Sequence, residues 1–226
     1  MAWTDGKEWG PAARSRSDAD AEGAALSGLK NSGMQRVRGM DLILFAKRAE
    51  IELDPSAVSG CEASFDPALA VARFCQRGSL STMYRSLSHE FGHYLFDAVG
   101  KRDHGEGDAT RAGLALWVPR FALLAAIERV GLDPEALSAR FPYVPPQLLW
   151  LRIAWVIDRA IIVHLGRERL AWAPDGIHVP AEGRWEHERE IIAREQGGYR
   201  DLLGADGWRI ADGDRRGTLL ILPPRD

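Results

Sequence analysis

Cysteine is nearly absent from this 226-residue chain: there are two, Cys61 and Cys75, too few for a disulfide framework and without a Cys or His partner at zinc-finger spacing. Reduced thiols are therefore expected, as in a cytoplasmic protein. A charge of one sign is missing too. With 29 Lys and Arg against 32 Asp and Glu, the formal charge is -3, and nothing in that balance predicts a nucleic-acid or anionic-membrane surface. The opening residues Met1 to Ser17 lack the charged-then-apolar order of a secretory leader. The longest apolar stretches are broken by Arg, Asp, Glu or His, so no membrane span is expected.

Large apolar groups are sparse over residues 1–36, which are rich in Gly, Ala, Ser and Asp, and this segment reads as a mobile N-terminal arm with a short helix near Ala19 to Leu29. From Met40 the pattern changes. Leu42, Phe45 and Ala49 recur at helical spacing, Ile51 to Leu53 alternates as a strand, and apolar pulses from Ala68 to Phe74 suggest another. Ser79 to Val99 reads as a helix carrying an apolar stripe of Leu80, Tyr84, Leu87, Phe91 and Leu95, closed by Gly100. A second helix is expected from Glu106 to Val118, where Pro119 must break, kink or restart it. Pro134 to Arg140 and Pro145 to Leu165 read as further helices, the latter long and apolar. Past Gly166 short strands are expected at Leu170 to Trp172 and Ile177 to Val179, then a charged helix Arg184 to Arg194 and a closing hairpin around Asp212 to Gly217. The fold class is α+β: a small sheet packed on a helical core over residues 37–166, with a small α/β appendage over 167–226.

The chemistry lies in His89-Glu90-Phe91-Gly92-His93. Residues four apart on a helix stand on the same side, so both imidazoles can reach one tetrahedral zinc ion. Both also fall opposite the apolar stripe, leaving the core behind the helix and the histidines in front. Glu90, beside the metal but not on it, is placed to take a proton from the water that attacks a carbonyl. A catalytic zinc needs a third protein ligand. Phe96 and Val99 stand where a metzincin would continue with glycine and histidine, so the third ligand should come from the following helix, with Glu106 and Asp108 as candidates and His104 behind them. Asp97 is read as a solvated helix end, Tyr84 and Tyr94 as packing residues, His164 and His187 as structural, and the eight scattered tryptophans as core.

His89-Glu-Phe-Gly-His93, Asp108-Ala-Thr-Arg-Ala112-Gly with Val118-Pro119, and Val144-Pro-Pro-Gln-Leu-Leu-Trp-Leu-Arg152 together resemble the ImmA/IrrE family of metallopeptidases over about residues 38–165. The family's ligand glutamate aligns with Asp108, one methylene shorter, so the resemblance implies His89, His93 and Asp108 as zinc ligands and Glu90 as the catalytic base. It further implies a zinc endopeptidase whose protein substrate is a helix-turn-helix repressor, in a stress-response or mobile-element switch. The alternative is a regulator that binds zinc but acts by protein contact alone.

Overall fold

The computed structural model describes residues 16–34, 41–55, 63–75, 79–157, 159, 161–165, 168–172, 199–200, 206–212 and 215–221, and the architecture they form is α+β. In chain order come α1 (Arg16–Asn31), α2 (Leu42–Arg48), β1 (Glu52–Asp54), β2 (Ser64–Asp66) and β3 (Val71–Arg73). Then follow α3 (Leu80–Ala98), α4 (Glu106–Trp117), α5 (Arg120–Val130), α6 (Pro134–Ser138) and α7 (Pro146–Ile157). The described strands after that are β4 (Ile161–Leu165), β5 (Glu168–Trp172), β6 (Tyr199–Arg200), β7 (Asp206–Asp212) and β8 (Arg215–Ile221).

Two sheets result. The first is mixed, in the order β1-β3-β2, with β1 parallel and β2 antiparallel to β3. Its hairpin turns at Asp66, whose carboxylate accepts from the amides of Ala68 and Leu69, a local bond that short acidic side chains make readily. The second sheet is antiparallel in the order β5-β4-β8-β7-β6, and its β7–β8 pair is the hairpin expected around Asp212. The strand expected at Ile177 to Val179, the helix expected at Arg184 to Arg194, and Cys61 and His187 lie outside the described residues.

The helix that carries the histidines starts and stops for local reasons. Ser79 caps α3 by accepting from the Thr82 amide at 3.1 Å. At the other end Gly100 takes φ +76°, and the amides of Gly100 and Lys101 return to the carbonyls of Asp97 and Phe96, a Schellman closure that needs a residue at ease with positive φ. Tyr84, Leu87, Phe91 and Leu95 are buried as expected, whereas Leu80, at the helix mouth, is 57% exposed.

The described part of the segment expected as a mobile arm is instead built into the core. In α1, Ala21, Ala24, Ala25 and Leu29 are buried, followed by Met34. The helix packs on α3 and α4. Small residues here serve close approach: a Cβ on Gly28 would meet the Leu95 side chain at 2.2 Å. Low apolar mass thus reflects proximity, not a shortage of surface to bury.

A second correction concerns the long helix expected over Pro145 to Leu165. It ends at Ile157, and the β-branched run Ile161-Ile162-Val163 is strand β4, paired with both β5 and β8. Near its middle, Arg152 is buried. Its Nε donates to the Val118 carbonyl at 2.9 Å, and its guanidinium pairs with Glu22 of α1. Pro119 follows Val118 and ends α4, with α5 leaving at 53°. Arg152 thereby satisfies a carbonyl that the broken helix leaves open and ties α1, α4 and α7 together. No single helix among the described residues is long and apolar enough to cross a membrane.

Candidate metal centre

The centre depends on how closely α3 and α4 approach. A Cβ on Gly92 would sit 1.8 Å from the Ala109 carbonyl oxygen, and one on Gly113 would sit 1.8 Å from that of Ser88. Two small residues four apart on each helix, Ser88 and Gly92 facing Gly113 and Ala109, therefore form an antiparallel seam of backbone against backbone. Glycine in the H-E-F-G-H segment is explained by this contact. The seam also sets the rotation of α4 about its axis, and so decides which residues of its first turns face the histidines.

They are Glu106 and Thr110. His89 Nε2 lies 2.9 Å from Glu106 Oε2, His93 Nε2 lies 3.7 Å from the same oxygen, and the two imidazole Nε2 atoms are 3.3 Å apart. Asp108, expected as the third ligand, is outside this group. Two residues on from Glu106 is about 200° around the helix, which turns its carboxylate elsewhere. It accepts instead from the Gly105 amide and from Arg111, both at 3.3 Å, one of these bonds being half of a capping box.

Hydrogen bonding orients the two imidazoles from behind. The Thr110 hydroxyl donates to the Glu106 carbonyl at 2.9 Å, so toward His89 Nδ1, also at 2.9 Å, it can only accept. Neutral His89 therefore carries its proton on Nδ1 and leaves a lone pair on Nε2. His93 follows the same logic through another partner. The Lys101 carbonyl can only accept, so His104 Nδ1 donates to it at 2.7 Å; His104 Nε2 is then an acceptor, and His93 Nδ1 donates to it at 2.9 Å. Burial, and next the neighbouring His89, hold the His93 imidazole below its usual 6.5, against the opposing pull of Glu106. That keeps the ring neutral near pH 7, the state in which it can ligate.

With both imidazoles neutral, the Nε2 lone pairs of His89 and His93 face each other and the Glu106 carboxylate. Donors held about 2.0–2.1 Å from a tetrahedral zinc stand about 3.3 Å from each other, and the three separations of 2.9, 3.3 and 3.7 Å bracket that figure. The His-His-Glu group is suited to a metal ion. Its outer rim is open: the Glu106 side chain is 64% exposed, so solvent and a larger molecule have access. Glu90, half-buried, is the residue after His89 and about 100° further round α3.

Of the positions singled out from sequence, His89 and His93 are brought together, and Glu106 joins them. His104 is close but bonded to His93. Tyr84 is packed, stacked between Trp117 and Tyr143, and its hydroxyl donates to Asp41. Thr110 was missed, although it lies four residues after Glu106 and so shares its face.

No family model matches the chain, and neither does any curated protein. Among solved structures, a Mycobacterium tuberculosis transcriptional regulator superposes with a TM-score of 0.57 over 90% of this chain and 87% of that one, at 14% identity. The likeness is one of fold.

Proposed function

We propose that this chain is a zinc-dependent metallopeptidase of the ImmA/IrrE type, in which His89, His93 and Glu106 hold the metal and Glu90 is the general base. The observation that carries the proposal is the set of three donor atoms, from His89, His93 and Glu106, at tetrahedral spacing on an open rim, with Glu90 following His89 in the chain. Structural zinc sites are closed by four protein ligands, whereas catalytic ones keep a position for water. Zinc bound here would supply Lewis acidity at a substrate carbonyl and lower the pKa of its water. Glu90 accepts the proton of the attacking water and passes it to the leaving amine. Thr110 and His104 keep both imidazoles in the ligating tautomer throughout.

The substrate is proposed to be a protein, specifically a helix-turn-helix repressor encoded beside this chain, and the compartment the cytoplasm. Cleavage would lift repression. Glu90→Gln tests this: glutamine is nearly isosteric but cannot take up the proton, so zinc content should be unchanged while cleavage of the repressor, followed by mass spectrometry, falls at least ~100-fold. A second reading, a zinc-binding regulator that acts by contact, draws support from the fold it shares with a protein described as a transcriptional regulator. It would take over if Glu90→Gln relieved repression as well as the native chain.

A further inference from the structure

The turn between α3 and α4 does more than connect them. After the Schellman closure at Gly100 the chain doubles back, and His104 comes to rest with its ring stacked on Phe96, centroids 4.9 Å apart and planes 22° from parallel. One edge of that ring is held by the Lys101 carbonyl at 2.7 Å, and the other meets His93 Nδ1 at 2.9 Å. Lys101 is itself anchored by an ion pair with Asp20 of α1. His104 is therefore fixed in plane by stacking, in tautomer by a backbone carbonyl, and in place by a turn tied to the neighbouring helix.

An imidazole that ligates a metal through one nitrogen usually donates the other N–H to a carboxylate, a carbonyl or water. Here the acceptor is a second imidazole. A carboxylate there would place negative charge beside His93, whereas a neutral imidazole adds direction without charge. Because Nε2 of a neutral imidazole is an acceptor only when Nδ1 carries the proton, the Lys101 carbonyl sets the proton position on both rings in turn. His89 depends on Thr110 instead, so the two ligands are oriented by independent partners.

We infer that His104 is a positioning residue, not a ligand: it locks His93 in the Nδ1–H tautomer and so presents the Nε2 lone pair to the metal. This rests on the metal reading above for its purpose, but the tautomer itself does not. Imidazole 15N–1H correlation spectra of the metal-free native chain should show His93 protonated at Nδ1 and bare at Nε2. His104→Phe keeps a ring against Phe96 and removes the acceptor, so His93 should relax to a tautomer mixture and zinc affinity should fall about 10-fold to 100-fold. His104→Gln has an amide oxygen to accept from His93 and an amide N–H to donate, so it should restore both the single tautomer and most of the affinity. Native His93 protonated at Nε2, a His104→Phe chain identical to native in tautomer and zinc affinity, or His104 nitrogen bound to zinc would each overturn the inference. A native chain that shows the expected tautomer but takes up no zinc would instead overturn the metal reading, leaving the tautomer lock in place. The native spectrum requires no variant to fold.

Discussion

The α3–α4 pair has two edges built on opposite terms. Along the seam, Gly92 meets Ala109 and Gly113 meets Ser88 so closely that no side-chain atom fits between the backbones. Along the open edge, His89, His93 and Glu106 bring three polar atoms within 3.7 Å of one another. The seam is where packing holds the pair together, and the edge is where the pair meets solvent, with the Glu106 side chain 64% exposed. A rigid seam beside an open edge is what a preformed metal site requires, because the seam keeps the donors from drifting apart.

Breaking the seam should have the largest effect. Gly92→Ala places a methyl group 1.8 Å from the Ala109 carbonyl oxygen, and backbone can yield only by separating the helices. A loss of about 3 kcal/mol or more is expected, well above the roughly 1 kcal/mol that alanine gains in a helix, with metal binding lost as well. Urea unfolding and zinc titration of the same preparation check both parts.

Weakening the edge should act on the metal and not on the fold. Glu106→Gln replaces a carboxylate by a neutral amide on a side chain that is 64% exposed. The metal-free variant should stay within about 0.5 kcal/mol of native, as exposed pairs contribute little, while its zinc affinity falls. Thermal melts with chelator and with zinc should therefore separate the two chains only when zinc is present.

The smallest effect lies away from both edges. Burial, and then the Asp41 carboxylate, push the Tyr84 hydroxyl up to about 12, so the folded chain keeps its proton where an unfolded tyrosine, near 10, has lost it. Between those values the unfolded state binds fewer protons, and stability falls as pH rises. Tyr84→Phe gives up the bond to Asp41, which also caps α2, and costs about 1 kcal/mol at neutral pH. Its alkaline limb should be shallower than the native one, as read from unfolding midpoints between pH 9 and about 12.

How much of this was legible depended on whether the deciding contacts were local. His89 and His93 form a pair through helix geometry alone, and Ser79 and Gly100 mark the ends of α3 by capping chemistry, so spacing was enough. Glu106 and Asp108 could not be separated by spacing, because the choice depends on how α4 is rotated, and register against the family's motif pointed to Asp108. Ala109 and Gly113 held the missing information: if these small residues face α3, Glu106 and Thr110 flank them on the same side. α1 was misread for a related reason, since alanines that permit close packing look like a shortage of apolar surface. Ile161 to Leu165 continue the apolar run of α7, and only pairing with β5 and β8 makes them a strand.

The most direct test of the metal centre is zinc stoichiometry and affinity measured in parallel on the native chain, Glu106→Gln and Asp108→Asn. One zinc per native chain is expected, with Asp108→Asn retaining near-native affinity and Glu106→Gln weakened by at least ~10-fold. A native chain that binds no zinc, or one in which Asp108→Asn loses the metal while Glu106→Gln keeps it, would contradict the account.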